Sequence, residues 1–322
     1  MELIKDQIIT DSSAKFEWVD AMENALIAIN NDEYFVPKRM HLDYGKNTFL
    51  LMPCISDKYW TTKLVATCPD NALSGHPSIY GTVVLNDSGT GEPLAIMNGG
   101  LITAMRTAAV SACGIRKLSP ADCHSLGVIG AGKQGIYQAV FACAVRNIKD
   151  IWVFDINEHN MSHFVRELNV KYPEIKIHKA LSSSDVAHKS EIVITSTTSQ
   201  SSVFDNSKEL FTGKTFIGIG TYKPDFREFP EQLFRQLDQI FVDTMDAKTE
   251  SGDIITPIKE GWISDDNIHQ LGKVCSGTIT PSLNRTRLFK TVGSAIFDLF
   301  AASLVYEKHL ELKGLAVSRS KS

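Results

Sequence analysis

Three glycines, Gly130, Gly132 and Gly135, fall in a GxGxxG pattern where a short apolar run, Ser125–Ile129, meets a stretch of helical spacing, Ile136–Arg146. Each position meets a physical need. Gly130 allows a tight turn, Gly132 lets backbone approach a pyrophosphate, and Gly135 lets the helix pack closely on the strand. The helix start offers unpaired N–H groups and the positive end of its dipole to phosphates. Asp155 ends the next strand, 20 residues after Gly135. Its carboxylate suits adenosine ribose hydroxyls and would repel a 2′-phosphate. Ile156-Asn157 provides no cation to offset that repulsion. The expected cofactor is therefore NAD(H), with NADP(H) the less favoured alternative. Ser196-Thr197-Thr198-Ser199 follows the apolar run Ile192–Thr195. It is either a cofactor-side loop, with Thr197 as a contact, or a polar loop that caps its own backbone. Gly218-Ile219-Gly220-Thr221 also ends a strand, where bare backbone would admit a nicotinamide ribose.

The elements that position these groups follow from hydrophobic periodicity. Residues 119–293 alternate strand and helix. Strands are expected at Ser125–Ile129, Asp150–Phe154, Ile175–His178, Ile192–Thr195, Phe216–Ile219 and Gln239–Val242. Alternation of this kind predicts a parallel sheet with right-handed crossovers. Residues 1–118 mix helix and strand. Phe16–Ile29 has helical spacing, Thr48–Met52, Lys63–Thr67 and Ser78–Leu85 read as strands, and Ala104–Lys117 reads as a helix. The segment 86–93 is turn chemistry before a further strand, Leu94–Met97. The apolar stretch Val292–Val305 predicts a helix that returns to the N-terminal domain. The fold class expected is α/β: a Rossmann-type doubly wound parallel sheet over 119–293, plus a discontinuous α+β domain from 1–118 and 294–322.

Composition narrows the function classes. The chain has 322 residues, 43% hydrophobic and 22% charged, which excludes a disordered or collagen-like protein. The formal charge of −4 gives no pull toward nucleic acid or an anionic membrane. No run of about 18 apolar residues suggests a membrane span. The six cysteines are scattered and form no CxxC pair, so reduced thiols and a cytoplasmic location are expected. The nine histidines show no ligand spacing such as HExxH, so no metal site is expected.

The run Gly99-Gly100-Leu101-Ile102-Thr103-Ala104-Met105-Arg106-Thr107-Ala108-Ala109-Val110-Ser111-Ala112 resembles the LTxxRTAAxSA hallmark of the ornithine cyclodeaminase/mu-crystallin family, with one residue inserted between its leucine and threonine. Gly130-Ala131-Gly132-Lys133-Gln134 matches that family's GxGxQ loop. Pro37-Lys38-Arg39, Met52-Pro53, Lys63, Asn71, Gly91–Ala95 and Leu288–Ala295 match further family features in order, and Asp298 follows the last of them. The resemblance implies a homodimer with a NAD(P)-binding domain and a second, substrate-binding and dimerising domain. It also implies that Arg39, Lys63 and Arg106 grip a substrate carboxylate. Thr107, Lys133, Gln134, Thr291 and Gly293 would join the three glycines and Asp155 around the cofactor. A guanidinium suits a planar carboxylate, and a second cation lowers the cost of burying it.

One departure shapes the expected activity. Ornithine cyclodeaminases carry an acid/base aspartate in a GGDCPGKTE-type segment. Here the segment is Gly220-Thr221-Tyr222-Lys223-Pro224-Asp225-Phe226-Arg227-Glu228, which puts Tyr222 at that place. A tyrosine, with a pKa of about 10, is a poor base at neutral pH. The expected reaction is reduction of a small imino acid, a cyclic ketimine such as Δ1-pyrroline-2-carboxylate going to L-proline. Lys63 is the first candidate proton donor and Asp225 the other acid/base candidate. The alternatives are an alanine-dehydrogenase-like or opine-type dehydrogenase, an ornithine cyclodeaminase, and a non-catalytic ligand binder like mu-crystallin.

Overall fold

A computed structural model describes residues 1–29, 33–221 and 223–315. The chain divides into two compact units, Met1–Arg106 with Ser294–Ser322, and Thr107–Gly293. The first division falls inside the continuous helix Gly99–Leu118, not at its end near residue 118.

The first unit is built on a six-stranded sheet. Its strands are β1 (Glu2–Leu3), β2 (Met40–Tyr44), β3 (Asn47–Ile55), β4 (Tyr59–Thr67), β5 (Ile79–Asp87) and β6 (Pro93–Asn98), ordered β1-β6-β5-β4-β3-β2. Only the β1–β6 pair is parallel. Period-two alternation sends Met52, Lys63, Val83 and Met97 to one face as direct cross-strand partners. All four are buried, so a lysine stands in an otherwise apolar row. The helix Ala295–Leu312 packs on β3, β4 and β5 and against the helix Lys15–Ala28. That covers the Lys63 face, as expected of a returning C-terminal helix.

The second unit is an eight-stranded, wholly parallel sheet. It contains β7 (Ser125–Ile129), β8 (Asp150–Phe154), β9 (Lys176–Lys179), β10 (Ile192–Thr195), β11 (Thr215–Gly218), β12 (Ile240–Val242), β13 (Ile268–Gln270) and β14 (Arg287–Lys290). The order is β13-β12-β14-β11-β10-β7-β8-β9. The chain winds outward from β7 to β9, then crosses to β10 on the other side of β7. This reversal is a switch point, where the carboxyl ends of a parallel sheet open a ligand crevice. Aromatic rings hold one flank. Phe216 meets Phe204 and Phe229 edge-on, with centroids 6.1 Å apart in both pairs.

Several elements differ from the sequence expectation for physical reasons. β7, β8 and β10 have the expected bounds, while β11 starts and ends one residue earlier than Phe216–Ile219. The helix expected from Ala104 starts at Gly99, because the Asn98 side chain accepts from the Leu101 N–H at 3.1 Å and caps it. Gly99 belongs there sterically: a Cβ would sit 2.6 Å from the Gly81 carbonyl carbon. β14 carries a charge at each end and shows no strand periodicity, yet all four residues are buried. Arg287 donates to Thr215 Oγ1 at 3.1 Å and Gly213 O at 2.9 Å, which makes its burial tolerable. β1, β2 and β13 were not expected; β1 and β13 span only two and three residues. Among the described residues, no helix is long and apolar enough to cross a membrane.

Candidate active site

In the first unit, β4 supplies Lys63, the helix Gly99–Leu118 supplies Arg106, and the helix Ala295–Leu312 supplies Asp298. Asp298 Oδ2 lies 2.7 Å from Lys63 Nζ, and its Oδ1 lies 3.3 Å from Arg106 Nε. Lys63 and Arg106 are 3% and 6% exposed and Asp298 is fully buried. Burial lowers the Lys63 pKa to about 8. The Asp298 charge opposes that shift, while those of Arg106 and Arg39 reinforce it. Arg39 is half-buried just before β2. Asp298 was only a family marker in the sequence. The signal that could have exposed its role is one carboxylate in the apolar opening of the last helix.

The glycine loop of the second unit has the geometry its spacing predicts. Gly130 takes φ +95°, and a Cβ there would lie 2.7 Å from Ser196 O. A Cβ on Gly135 would lie 2.1 Å from Gly130 O, so helix and strand pack with no room for a side chain. Gly132 faces open space, with nothing within 4 Å of a Cβ. It is also the N-cap of the helix Lys133–Val145, and no side chain caps that end. Gln134 Oε1 is buried without a hydrogen-bond partner among the described residues. Lys133 is exposed. Asp155 accepts from Ala131 N and Asn157 N, both at 2.8 Å, and so ties the glycine loop to the end of β8. Bare backbone over open space, an uncapped helix start, a partnerless buried acceptor and a carboxylate at the strand end fit a dinucleotide.

The strand-end loops of this unit are fastened from below. Glu228 is fully buried and accepts from Thr195 Oγ1 (2.9 Å), Thr197 N (2.9 Å), Thr197 Oγ1 (2.8 Å) and Gly220 N (3.0 Å). Thr197 Oγ1 also accepts from Ser199 N at 3.2 Å, so the loop does cap its own backbone in part. Burial raises the Glu228 pKa; the Lys290 charge opposes the shift and Asp253 adds to it. Lys290 Nζ is 3.2 Å from Asp253 Oδ2 and donates to Thr221 Oγ1 at 2.9 Å. Asp243, fully buried at the end of β12, accepts from Thr291 Oγ1 at 2.5 Å, Val292 N at 3.0 Å and Gly293 N at 2.7 Å. Thr291 and Gly293 are thus organised by a carboxylate that sequence reasoning passed over. An acidic residue directly after an apolar strand was the available signal.

The remaining candidates are placed as follows. Thr107 is half-buried in the helix, one residue after Arg106. Asp225 is exposed in a turn of the second unit. Tyr222 lies outside the described residues. Among the described residues, no three His, Cys, Asp or Glu side chains are grouped to hold a metal ion.

Known proteins resemble this chain over most of its length. The model of the ornithine cyclodeaminase/mu-crystallin family matches residues 3–313. A Δ1-pyrroline-2-carboxylate reductase of Bacillus cereus (strain ZK / E33L) is 30% identical over 297 residues, covering 89% of this chain and 90% of that protein. The ketimine reductase mu-crystallin of Mus musculus is 29% identical over 248 residues, covering 77% of this chain and 75% of that protein. The solved structure of Thermococcus litoralis Δ1-pyrroline-2-carboxylate reductase in complex with NADH and L-proline superposes with a TM-score of 0.90 at 34% identity, covering 99% of this chain and 100% of that one. The chain belongs to the ornithine cyclodeaminase/mu-crystallin family.

Proposed function

We propose that the chain is an oxidoreductase that reduces Δ1-pyrroline-2-carboxylate to L-proline with NADH. One observation carries the reading: two buried cations, Lys63 and Arg106, share a single buried carboxylate, Asp298. A buried excess of positive charge is costly unless an anion joins it. A substrate carboxylate supplies that charge, and the planar guanidinium of Arg106 fixes its orientation. The relatives named Δ1-pyrroline-2-carboxylate reductase, and the one solved with NADH and L-proline, support the substrate and the cofactor.

The residues divide the work. Arg106, Lys63 and Arg39 hold the carboxylate, and so place the C=N carbon that it adjoins. Gly130, Gly132, Gly135 and the start of the helix Lys133–Val145 take the pyrophosphate, with Thr107, Lys133, Gln134, Thr197, Thr291 and Gly293 as further contacts. Asp155 takes the adenosine ribose, which favours NADH over NADPH. Bound NADH supplies the hydride for the C=N carbon. Lys63 is an ammonium at neutral pH but releases its proton more readily than a surface lysine, so it supplies the proton for the ring nitrogen. Asp225 stands as the alternative acid/base. Holding and electrostatics supply most of the rate.

The test is NADH oxidation with Δ1-pyrroline-2-carboxylate, beside pyruvate plus ammonia and an NADPH control. Oxidation with the cyclic imine alone is the expected result. Activity only with the oxo acid and ammonia would make the chain an open-chain amino-acid dehydrogenase. Ammonia release from ornithine without net NADH change would make it a cyclodeaminase.

Two further outcomes follow from the geometry. Deprotonation of Lys63 above about pH 8 removes both a clamp charge and the donated proton. Because the pKa is lowered, kcat/KM for the imino acid should be flat below pH 8 and fall about tenfold per unit above it. The KM for NADH should not follow. A profile flat to pH 9.5 would remove Lys63 from the mechanism. Gly132→Ala should leave Tm within about 2 °C, since a Cβ there touches nothing within 4 Å. It should weaken NADH at least tenfold by placing a methyl group against the pyrophosphate. Unchanged NADH affinity in fluorescence titration would place the pyrophosphate elsewhere.

The assembly proposed is a homodimer in the cytoplasm. The outer face of the six-stranded sheet supports it: Met40, Leu42, Phe49, Leu64 and Tyr80 project from β2 to β5 and are 36–53% exposed. A continuous apolar sheet face of this kind marks an interaction surface. A one-chain mass in sedimentation would refute the dimer. All six cysteines are free thiols, which suits a reducing compartment.

A further inference from the structure

Glu228 faces four donors with one carboxylate. Oε2 accepts from Thr195 Oγ1 and Gly220 N, and Oε1 accepts from the N–H and hydroxyl of Thr197. That uses the full acceptor capacity of a carboxylate, and a glutamine amide, with one oxygen, would turn an N–H toward a donor. The donors come from two places. Thr195 and Thr197 belong to the carboxyl end of β10, and Gly220 lies just beyond β11. Gly220 is bound so closely that a Cβ would sit 2.2 Å from Thr197 O and 2.4 Å from Glu228 Oε1. Between the two threonines, Ser196 donates its hydroxyl to Gly130 O at 2.9 Å, joining the same loop to the first glycine of the phosphate loop.

Glu228 is itself held. Asp253 Oδ1 accepts from the backbone N–H groups of Glu228 (2.8 Å) and Phe229 (3.1 Å). Asp253 Oδ2 in turn meets Lys290 and Thr221. All three charged residues are fully buried. Removing one member of such a network leaves the others short of partners. This is a stiff brace under the ends of β10 and β11, beside β7 and its glycine loop. By the switch-point rule, a dinucleotide whose pyrophosphate lies on that loop extends its far half across those strand ends.

We propose that Glu228 is the positioning residue for the nicotinamide half of the cofactor: by gathering Thr195, Thr197 and Gly220 onto one carboxylate, it sets the surface on which that half lies. The inference rests on the NAD(H) reading above. Glu228 touches no reacting atom; it acts through the two loops. The adenine half depends on other residues, the helix start after Gly132 and Asp155.

The experiment compares two probes on the full chain, NADH for the whole cofactor and ADP for its adenine half, with thermal unfolding alongside. In Glu228→Gln the lost acceptor and turned amide should raise the NADH Kd about tenfold or more, while the ADP Kd stays within about twofold. The KM for NADH should rise and the KM for the imino acid should not. A merely structural role would weaken both probes together, and that result, or unchanged binding of both, overturns the proposal. Should Glu228→Gln fail to fold, Thr195→Val removes one donor and should weaken NADH about threefold with ADP unchanged; equal effects on both probes overturn the proposal there too. A wild-type chain that binds ADP but not NADH overturns the NAD(H) reading itself, and with it this inference.

Discussion

Arg106→Ala is expected to lower kcat/KM for the imino acid by about a thousandfold, with the KM for NADH within about twofold of wild type. The magnitude follows from what is removed. A buried, charge-assisted contact to a carboxylate is worth several kcal/mol when one partner is truncated, and 1.4 kcal/mol is tenfold. Alanine also removes the planar fork that orients the C=N carbon, so kcat should fall along with affinity. Arg106→Lys should recover part of the affinity and less of kcat, because a single ammonium cannot reproduce the fork. Stability should change little. Without Arg106, Asp298 still pairs with Lys63 at 2.7 Å, and the cluster becomes neutral. A loss of about 1–2 kcal/mol in unfolding is expected. Steady-state kinetics with both substrates varied checks the first part, and unchanged kcat/KM would end the carboxylate-clamp reading.

Asp298→Ala should show the opposite balance. It leaves Lys63 and Arg106 buried with no counter-charge between them. Breaking a buried ion pair from one side costs about 3–5 kcal/mol, which in a chain of this size lowers Tm by roughly 10 °C. Part of the loss should be regained by adding a small ring carboxylate, because the anion then supplies the missing charge and binds only the folded state. The rescue should grow as pH falls, because losing the Asp298 charge lowers the Lys63 pKa further and the bound anion is what restores its proton. Thermal unfolding at two carboxylate concentrations is the measurement. A Tm within 2 °C of wild type would mean that Asp298 does not compensate the two cations. Together the two variants separate the roles, with Arg106 directed at the ligand and Asp298 at the cost of burying the site.

Much of the chain was legible because local rules sufficed. The GxGxxG spacing states a steric requirement, and the turn at Gly130 and the contact of Gly135 with Gly130 O meet it. β7, β8 and β10 are short apolar runs bounded by polar residues, so periodicity and length located them. The motif run through Arg106 pointed to the family, and Lys63 and Arg106 do share one buried carboxylate.

What stayed hidden depends on partners far apart in sequence. Lys63 and Asp298 are 235 positions apart, and nothing local to either says that β4 and the last helix meet. Asp243 and Asp253 read as ordinary acidic residues, and Glu228 only as the end of a family-like segment, because a sequence records charge but not burial or donors. β14 was missed for the same reason: its Arg287 and Lys290 look exposed until Thr215, Gly213, Thr221 and Asp253 are seen to satisfy them. By itself the sequence determined the glycine turn and the alternating sheet, since spacing and residue type encode those directly, while the family resemblance singled out the cations. Only the tertiary structure decided which carboxylate offsets those cations and which one braces the strand ends. A buried charge is tolerable only beside its partners, and those partners are brought together by the packing of distant elements.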